Sequence, residues 1–272
     1  MSEITDIGEN EALSPTEAIE GNYLEWYQEF DEQNWQKEYS LHNPDHIRAD
    51  FESADLLIQA ALKGNDSDPL GIIKDLEAWN KDRPEAKISR EELPLVVRIA
   101  FAAHDLGNIA SQAKEVDGKL SLDYFKDGYK AKNAEARSQQ IAEQVIKASE
   151  LIQDQKDRFQ PLVNHLVNET KYDFGEKTQF QVFMRVVDQI GNDLFSSNEN
   201  RVIGLLMEMA NENPEAVFVP DAFFNFSLRR FGELVPSEKT REAVLAIWGK
   251  DLPDEIPGLE KGKVRVEDWL AM

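Results

Sequence analysis

Apolar residues recur at every third or fourth position along most of this chain, and this spacing restricts the fold more than any other feature. It is the period of an amphipathic α-helix, and neither a convincing strand-like alternation nor an internal repeat accompanies it. The spacing of Leu24, Tyr27 and Phe30 predicts a first helix. Further helices are predicted at 45–62, 70–81, 131–150, 155–171, 177–195 and 198–213. The sequence therefore predicts an all-α fold, a helical bundle.

The segment "SREELPLVVRIAFAAHDLGN" is more apolar than the other predicted helices. Ser89 followed by Glu92 is the pattern of a capping box, in which each side chain bonds the other residue's backbone at a helix start. The run from Leu95 to Ala103 is nearly all hydrophobic, and a helix that is apolar on every side belongs in the middle of a bundle. Gly107 is suited to the end of this helix.

Composition divides the chain into three parts. Residues 1–20 are acidic and polar and predict a flexible tail. Residues 21–212 hold the predicted helices. Residues 213–272 are rich in phenylalanine and predict a C-terminal extension packed on the bundle. Its aromatic residues are interpreted as core rather than as a platform for stacking bases.

The net charge of −22 limits the partners that this chain can bind. Binding to a nucleic-acid duplex needs clustered Lys and Arg, so we expect no such partner. A small phosphorylated substrate stays compatible, because a bound metal reverses the local field; the acidity can also simply reflect solubility. No apolar run approaches the ~18 residues of a membrane span, so we expect no membrane partner. The chain has no cysteine and no signal-peptide pattern, and the expected location is cytoplasmic.

Three of the four histidines fall in two motifs beside predicted core helices. His42 and His46 lie one helical turn apart in "SLHNPDHIRADFESADLL", and His104-Asp105 ends the apolar helix. Asp188 ends another apolar stretch, in "FMRVVDQIGND". A carboxylate after a buried run is costly unless it is paired, hydrogen-bonded or bound to a cation. Each motif alone is also typical of a surface or capping pair, but two imidazoles and two carboxylates together could coordinate a divalent ion.

In chain order, "HNPDHIRADFESADLL", "IAFAAHDLGN", "NAEARSQQIAEQVI", "VNHLVNETKYDF" and "VFMRVVDQIGND" resemble the HD-domain metal-dependent phosphohydrolase superfamily. The signature of that family is a His, a His-Asp pair and a distant Asp on a helical bundle. The first motif is closest to the His-Asn-x-x-His form of the cyclic-nucleotide phosphodiesterase branch and of related bacterial HD proteins. The resemblance covers about residues 38–195, so it makes 21–212 an HD-type metal-binding domain.

The resemblance implies that His46, His104, Asp105 and Asp188 are the metal ligands, with Asp105 able to bridge a second ion. The cofactor would be one or two divalent ions, and two His with two Asp accept Mn, Mg, Fe, Ni or Zn. The further histidines that hold a second ion in some branches are missing. His165 is the remaining candidate, and a structural histidine is the favoured interpretation.

The resemblance also implies catalytic residues. His42 would protonate the leaving oxygen, and Glu135 with Ser138 matches a Glu-x-x-Ser pattern in which the Glu orients a histidine or a metal-bound water. Many HD enzymes have a Lys where this chain has Asn108, which weakens the case for phosphate binding or moves that task elsewhere. Asn108 and Arg137 are the candidates for substrate binding, although a solvated helix face is the favoured interpretation of Arg137.

The implied activity is a metal-dependent phosphohydrolase, a phosphomonoesterase or phosphodiesterase. It would hydrolyse a phosphate ester of a small molecule, a nucleotide or cyclic nucleotide, through a metal-activated water. The alternative is a non-catalytic HD module that binds metal or nucleotide as a regulatory or interaction protein. A bundle without metal is a third possibility, and a homo-oligomer is a possible assembly.

Overall fold

The computed structural model describes residues 21, 23–29, 44–116, 119–125, 132–170, 178–195, 217–218, 229–250 and 264–265. The predicted tail 1–20, His42, the predicted helix 198–213 and most of the C-terminal extension lie outside the described residues. The division of the chain into three parts therefore stays a prediction.

The described residues are predominantly helical, which confirms the predicted all-α fold. The helices are α1 (23–29), α2 (Pro44–Lys63), α3 (Ile72–Asp82), α4 (Leu93–Ala103), α5 (Leu106–Ile109), α6 (Ala134–Ala148), α7 (Gln153–Glu169), α8 (Gln181–Arg185), α9 (Asn192–Phe195), α10 (229–234) and α11 (Glu238–Trp248). A π-helical segment, Val186–Gly191, joins α8 to α9. Short 3-10 turns lie at Asn65–Ser67 and Pro84–Ala86. Within the described part of the chain, no helix is long and apolar enough to cross a membrane.

Helix α4 lies in the core, as its composition predicts, and it packs against α2, α6 and α7. The predicted capping box is present at its start. The backbone N–H of Ser89 donates to Glu92 Oε2 (2.9 Å), and the backbone N–H of Glu92 donates to Ser89 Oγ (3.2 Å). Arg158 on α7 forms a two-pronged ion pair with the same Glu92 carboxylate, at 2.7 and 2.9 Å. The cap therefore also ties α7 to the beginning of the central helix.

A β-hairpin follows α5, where the sequence indicated no strand. Strands β1 (Ala110–Val116) and β2 (Lys119–Tyr124) pair in antiparallel fashion, with Ala113 opposite Leu122. The prediction that the chain contains no strand is wrong here, and the strands escaped notice because they are short, bury few side chains and alternate weakly. The dipeptide Asp117-Gly118 between the two runs is a signal for a hairpin that the helical period obscured. Two further strands, β3 (Val217–Phe218) and β4 (Val264–Arg265), also pair antiparallel.

Two glycines allow close helix contacts that bring the ends of the core helices together. A Cβ on Gly107 would lie 1.9 Å from the carbonyl oxygen of Ala134, so no side chain fits between α5 and α6. Gly107 lies within α5 and acts through this close approach, and the prediction that it ends the apolar helix is wrong. A Cβ on Gly191 would lie 2.5 Å from Ser53 Oγ on α2. The first contact fixes the α4–α5 junction, and the second fixes the π-helical segment against α2.

Candidate metal centre

Three parts of the fold converge on one buried cluster of imidazole and carboxylate groups. Helix α2 contributes His46 and, one turn later, Asp50. The junction between α4 and α5 contributes His104 and Asp105. The π-helical segment contributes Asp188. Such segments are rare and occur often at functional sites, because the extra residue changes the direction of the side chains.

The distances between the candidate ligand atoms are short. His46 Nε2 lies 3.4 Å from His104 Nε2. Asp188 Oδ1 lies 3.6 and 3.4 Å from these two nitrogens, and Asp50 Oδ2 lies 3.4 and 3.9 Å from them. One ligand atom from each of these four residues lies within 4.8 Å of all the others.

The distances that involve the two imidazoles are those of ligands around one ion. Zn²⁺ and Mg²⁺ hold nitrogen and oxygen ligands at about 2.1 Å, so two ligands at a right angle are ~3.0 Å apart and two at the tetrahedral angle are ~3.4 Å apart. The observed 3.4–3.9 Å corresponds to angles from tetrahedral upward. His46, Asp50, His104 and Asp188 therefore lie close enough to bind a metal ion.

Asp105 lies at the edge of the same cluster. Its Oδ2 is 3.1 Å from His46 Nε2 and 3.0 Å from His104 Nε2. Its Oδ1 accepts a hydrogen bond from Asn108 Nδ2 (3.0 Å). Asn108 is buried, and its amide orients the carboxylate of Asp105. This is a structural role, and the predicted role of Asn108 in substrate binding stays a prediction. The structure thus brings together all four residues predicted as ligands, while their binding of an ion stays a prediction.

Asp50 is the member that sequence reasoning did not assign as a ligand. Its side chain is completely buried, and Oδ1 accepts a hydrogen bond from Asn192 Nδ2 (3.0 Å). Among the described residues its Oδ2 has no hydrogen-bond partner, and the nearest imidazole nitrogen, His46 Nε2, lies 3.4 Å away. A buried oxygen without a partner is costly, and a cation held with His46 and His104 would satisfy it. The spacing of four residues from His46 was the available signal, since it places both side chains on one helix face.

The electrostatics of the cluster follow from burial and from crowding of like charges. Burial raises the pKa of Asp50 from 3.8 to about 6; the imidazoles of His46 and His104 oppose this, and the Asp188 charge adds to it. Burial alone would lower the pKa of His104, but the charges of Asp105 and Asp188 and the hydrogen bonds to them outweigh it and raise the pKa well above its ordinary value. Without an ion, the cluster therefore retains protons that a metal would displace.

Neighbouring groups hold the two imidazoles in place. His104 Nδ1–H donates to the carbonyl oxygen of Phe101 (2.7 Å), which leaves Nε2 directed at the cluster. This arrangement is typical of metal-binding histidines. The Asn192 amide nitrogen lies 2.5 Å from His46 Nδ1 and also donates to the carbonyl oxygen of His46 (3.1 Å). No sequence pattern indicates Asn192, because this residue reaches His46 only through the packing of α9 on α2.

Helix α6 supports the junction that carries His104 and Asp105. Ser138 Oγ donates to the carbonyl oxygen of His104 (2.7 Å) and accepts a hydrogen bond from the Gly107 N–H (2.8 Å). Both groups are buried, so Ser138 satisfies a donor and an acceptor at the bend between α4 and α5. The Glu-x-x-Ser pattern therefore has a structural role through its serine.

The other predicted residues of this region stand apart from the cluster. Glu135 is half-buried, and no hydrogen bond or ion pair between it and the described cluster residues is seen. Arg137 donates from Nε to the carbonyl oxygen of Gly107 (2.7 Å) and from Nη1 to that of Lys132 (2.6 Å), and its guanidinium lies over the ring of Phe125. Both hydrogen bonds of Arg137 go to backbone carbonyl oxygens, so they support the fold. The catalytic role of Glu135 and the substrate-binding role of Arg137 stay predictions.

His165 lies in a separate network, in agreement with the favoured structural interpretation. Its ring lies 5.1 Å from that of Trp79, and Nε2 contacts the carbonyl oxygen of Gln179 (3.0 Å). Its Nδ1 is 3.6 Å from Glu169 Oε1. These contacts use both ring nitrogens.

Comparison with protein-family models, with curated proteins and with solved structures gave no match to this chain. The candidate metal centre therefore rests on the geometry of the chain itself.

Proposed function

We propose that this chain is a metal-dependent phosphohydrolase of the HD type that acts on a small phosphorylated molecule, a nucleotide or a cyclic nucleotide. One observation carries the proposal: two imidazoles and three carboxylates from three parts of the fold converge, and a fully buried Asp50 oxygen among them has no hydrogen-bond partner within the described residues. Crowding three carboxylates in and beside the core is costly unless positive charge offsets them, and a divalent cation would supply more of it than protonated imidazoles do.

The donor set fits a catalytic rather than a purely structural ion. Two neutral imidazoles and carboxylate oxygens suit Mn, Mg, Fe, Ni or Zn, and such a set leaves coordination positions for small ligands. A bound divalent ion would supply a nucleophile at neutral pH by lowering the pKa of water, and it would stabilise charge on the phosphoryl oxygens. His46, Asp50, His104 and Asp188 would hold it, and Asp105 could bridge a second one.

The most exposed members of the centre are Asp105 and Asp188. Their side chains are 12 % and 14 % exposed, whereas that of Asp50 is 0 % exposed. A phosphoryl group would therefore approach between these two carboxylates. In the proposed reaction, His42 donates a proton to the leaving oxygen, and histidine titrates in the range that this task needs.

The first experiment measures the metal content of protein purified without an affinity metal column. Mass spectrometry should find one or two divalent ions per chain, and Asp105→Ala should lose them. Asp123→Ala is the matched control, because this aspartate lies on the hairpin and pairs with Lys114 away from the centre. The loaded protein is then assayed with nucleotide mono- and diesters in Mn²⁺, Mg²⁺ or Ni²⁺. No uptake of any of these ions would contradict the proposal.

A second candidate is a non-catalytic module that binds metal or nucleotide. It is supported by the burial of the cluster, since no member has a side chain more than 14 % exposed and little of the ligand set is open to a large substrate. Retention of the ion together with nucleotide binding, but without turnover under any of the metals, would favour this module over the enzyme.

A further inference from the structure

A buried glutamine–arginine pair adjoins the metal centre. Gln189 directly follows Asp188 in the π-helical segment, and Arg230 lies on α10. The two residues are only 6 % and 5 % exposed, and Arg230 Nε donates a hydrogen bond to Gln189 Oε1 at 3.0 Å. Arginine is rarely this deeply buried, because its charge is well hydrated at the surface. The position of this guanidinium therefore calls for an explanation.

The contact with Arg230 fixes the orientation of the Gln189 amide. Arginine has N–H donors and no acceptor, so the amide oxygen has to face the guanidinium and cannot exchange places with the amide nitrogen. That nitrogen, Nε2, is buried and has no hydrogen-bond partner in the part of the chain that the structure describes. A buried N–H without an acceptor lowers stability. The pair therefore presents an amide donor that lacks an acceptor, next to a buried positive charge.

An anionic oxygen is the acceptor that suits both groups. A guanidinium carries a positive charge at any working pH and binds carboxylate and phosphate oxygens through its planar array of N–H groups. The carboxylate of Glu233 lies 3.3 Å from Arg230 Nη1, but its side chain is 48 % exposed. An ion pair with such a solvated carboxylate contributes little. An anion in contact with both the guanidinium and Gln189 Nε2 would form the charge-assisted hydrogen bonds that Glu233 does not replace.

Packing holds the two side chains in place. Next to Arg230 on α10, Phe231 is completely buried, and the backbone N–H of Val235 donates to its carbonyl oxygen (2.8 Å). Gly191 fixes the π-helical segment that carries Gln189 against Ser53 on α2. The donors are therefore held in a defined arrangement before a ligand binds, which lowers the entropy lost on binding.

We propose that Gln189 and Arg230 form a binding site for an oxyanion, a phosphate or a carboxylate group, through Gln189 Nε2–H and the Arg230 guanidinium. This site is separate from the metal centre. Asp188 directs its carboxylate at His46 and His104, whereas Gln189, the next residue, directs its side chain at α10. The inference goes beyond the proposed function and does not depend on it, because the positive charge at this site comes from arginine and not from a metal ion.

The test titrates the full chain with inorganic phosphate in EDTA, so that no metal ion contributes, and follows binding by phosphorus NMR. A parallel titration with carbon-13-labelled acetate tests the carboxylate group. The wild type should bind at least one of the two anions saturably. Gln189→Glu should weaken this binding by about tenfold or more, because the new carboxylate pairs with Arg230 and repels the anion. The same ion pair favours folding of the variant, and its circular dichroism spectrum should match that of the wild type.

Arg229→Gln is the matched control. Arg229 precedes Arg230 on the same helix and also lies near Glu233, with 3.5 Å between Nε and Oε1, but its side chain is 68 % exposed. This variant removes the same charge as Arg230→Gln from the surface. It should bind the anion within about twofold of the wild type, because salt screens an exposed charge. Arg230→Gln should weaken binding as strongly as Gln189→Glu.

Saturable binding of neither anion by the wild type would overturn the inference, as would undiminished binding by Gln189→Glu or an equal loss in Arg229→Gln. Thermal unfolding of the wild type in EDTA needs no variant. The bound anion should raise the Tm above its value in chloride at equal ionic strength, and an unchanged Tm would contradict the inference. The absence of metal binding or of phosphoester hydrolysis would refute the proposed function alone, since these titrations contain no metal ion.

Discussion

Replacing Asp50 by Asn separates the cost of this carboxylate from its use as a ligand. Burial raises the pKa of Asp50 from 3.8 to about 6, so the ionised form is disfavoured in the folded chain. A tenfold change in proton binding corresponds to ~1.4 kcal/mol, and the difference between the two pKa values therefore corresponds to about 3 kcal/mol of lost stability at neutral pH. An amide avoids this cost and still accepts the hydrogen bond from Asn192.

The sign of the pH dependence follows from proton binding. Between pH 3.8 and about 6 the folded chain holds a proton on Asp50 that the unfolded chain has lost, so this group's contribution to stability falls as the pH rises through that range. We expect metal-free Asp50→Asn to be as stable as the wild type below this range. Above it, the variant should be more stable by up to about 3 kcal/mol.

Urea unfolding, followed by circular dichroism in EDTA and in excess Mn²⁺, measures both effects. A bound ion should stabilise the wild type by ~2.7 kcal/mol at a hundredfold excess over its Kd. The Asp50→Asn variant, which lacks one anionic ligand, should gain less stability from Mn²⁺. The difference in the free energy of unfolding between the variant and the wild type should therefore be smaller in Mn²⁺ than in EDTA, or change sign. Asp45→Asn is the control, since Asp45 lies on the same helix with its side chain 50 % exposed. A metal-free Asp50→Asn that is less stable than the wild type at neutral pH would refute this reasoning.

Three further predictions concern the groups around the centre. Asn192→Ala removes the contacts to His46 and Asp50 and should weaken Mn²⁺ binding about 10- to 100-fold in calorimetry while the circular dichroism spectrum is unchanged; undiminished binding would exclude Asn192 from the support of the centre. Ser138→Ala leaves a buried N–H and a buried carbonyl unpaired and should lower the free energy of unfolding by about 1–3 kcal/mol, which urea titration would detect. His42→Ala should retain the metal and lower kcat by about 10²–10⁴, and an unchanged kcat would remove His42 from the mechanism.

Most of the helices could be predicted from the sequence because helical periodicity is a local property. The predicted helix 45–62 corresponds to Pro44–Lys63, and 155–171 corresponds to Gln153–Glu169. The capping box of α4 was also predictable, since both of its residues lie within one turn. The hairpin β1–β2 was missed because its stability depends on packing against α6, where the backbone N–H of Ala113 donates to the side chain of Gln144.

The sequence by itself determined the helical class, because the helical period is visible in the spacing of apolar residues. It also indicated the histidines and aspartates that could form a metal centre, because they lie in recognisable motifs. Only the tertiary structure decided that these residues meet. His46 and His104 are 58 residues apart, and Asn192 reaches His46 across 146 residues. The inclusion of Asp50 and the support from Ser138 depend on which helix faces pack together. Residue spacing sets which side chains share a helix face, but close packing of the core decides which faces touch.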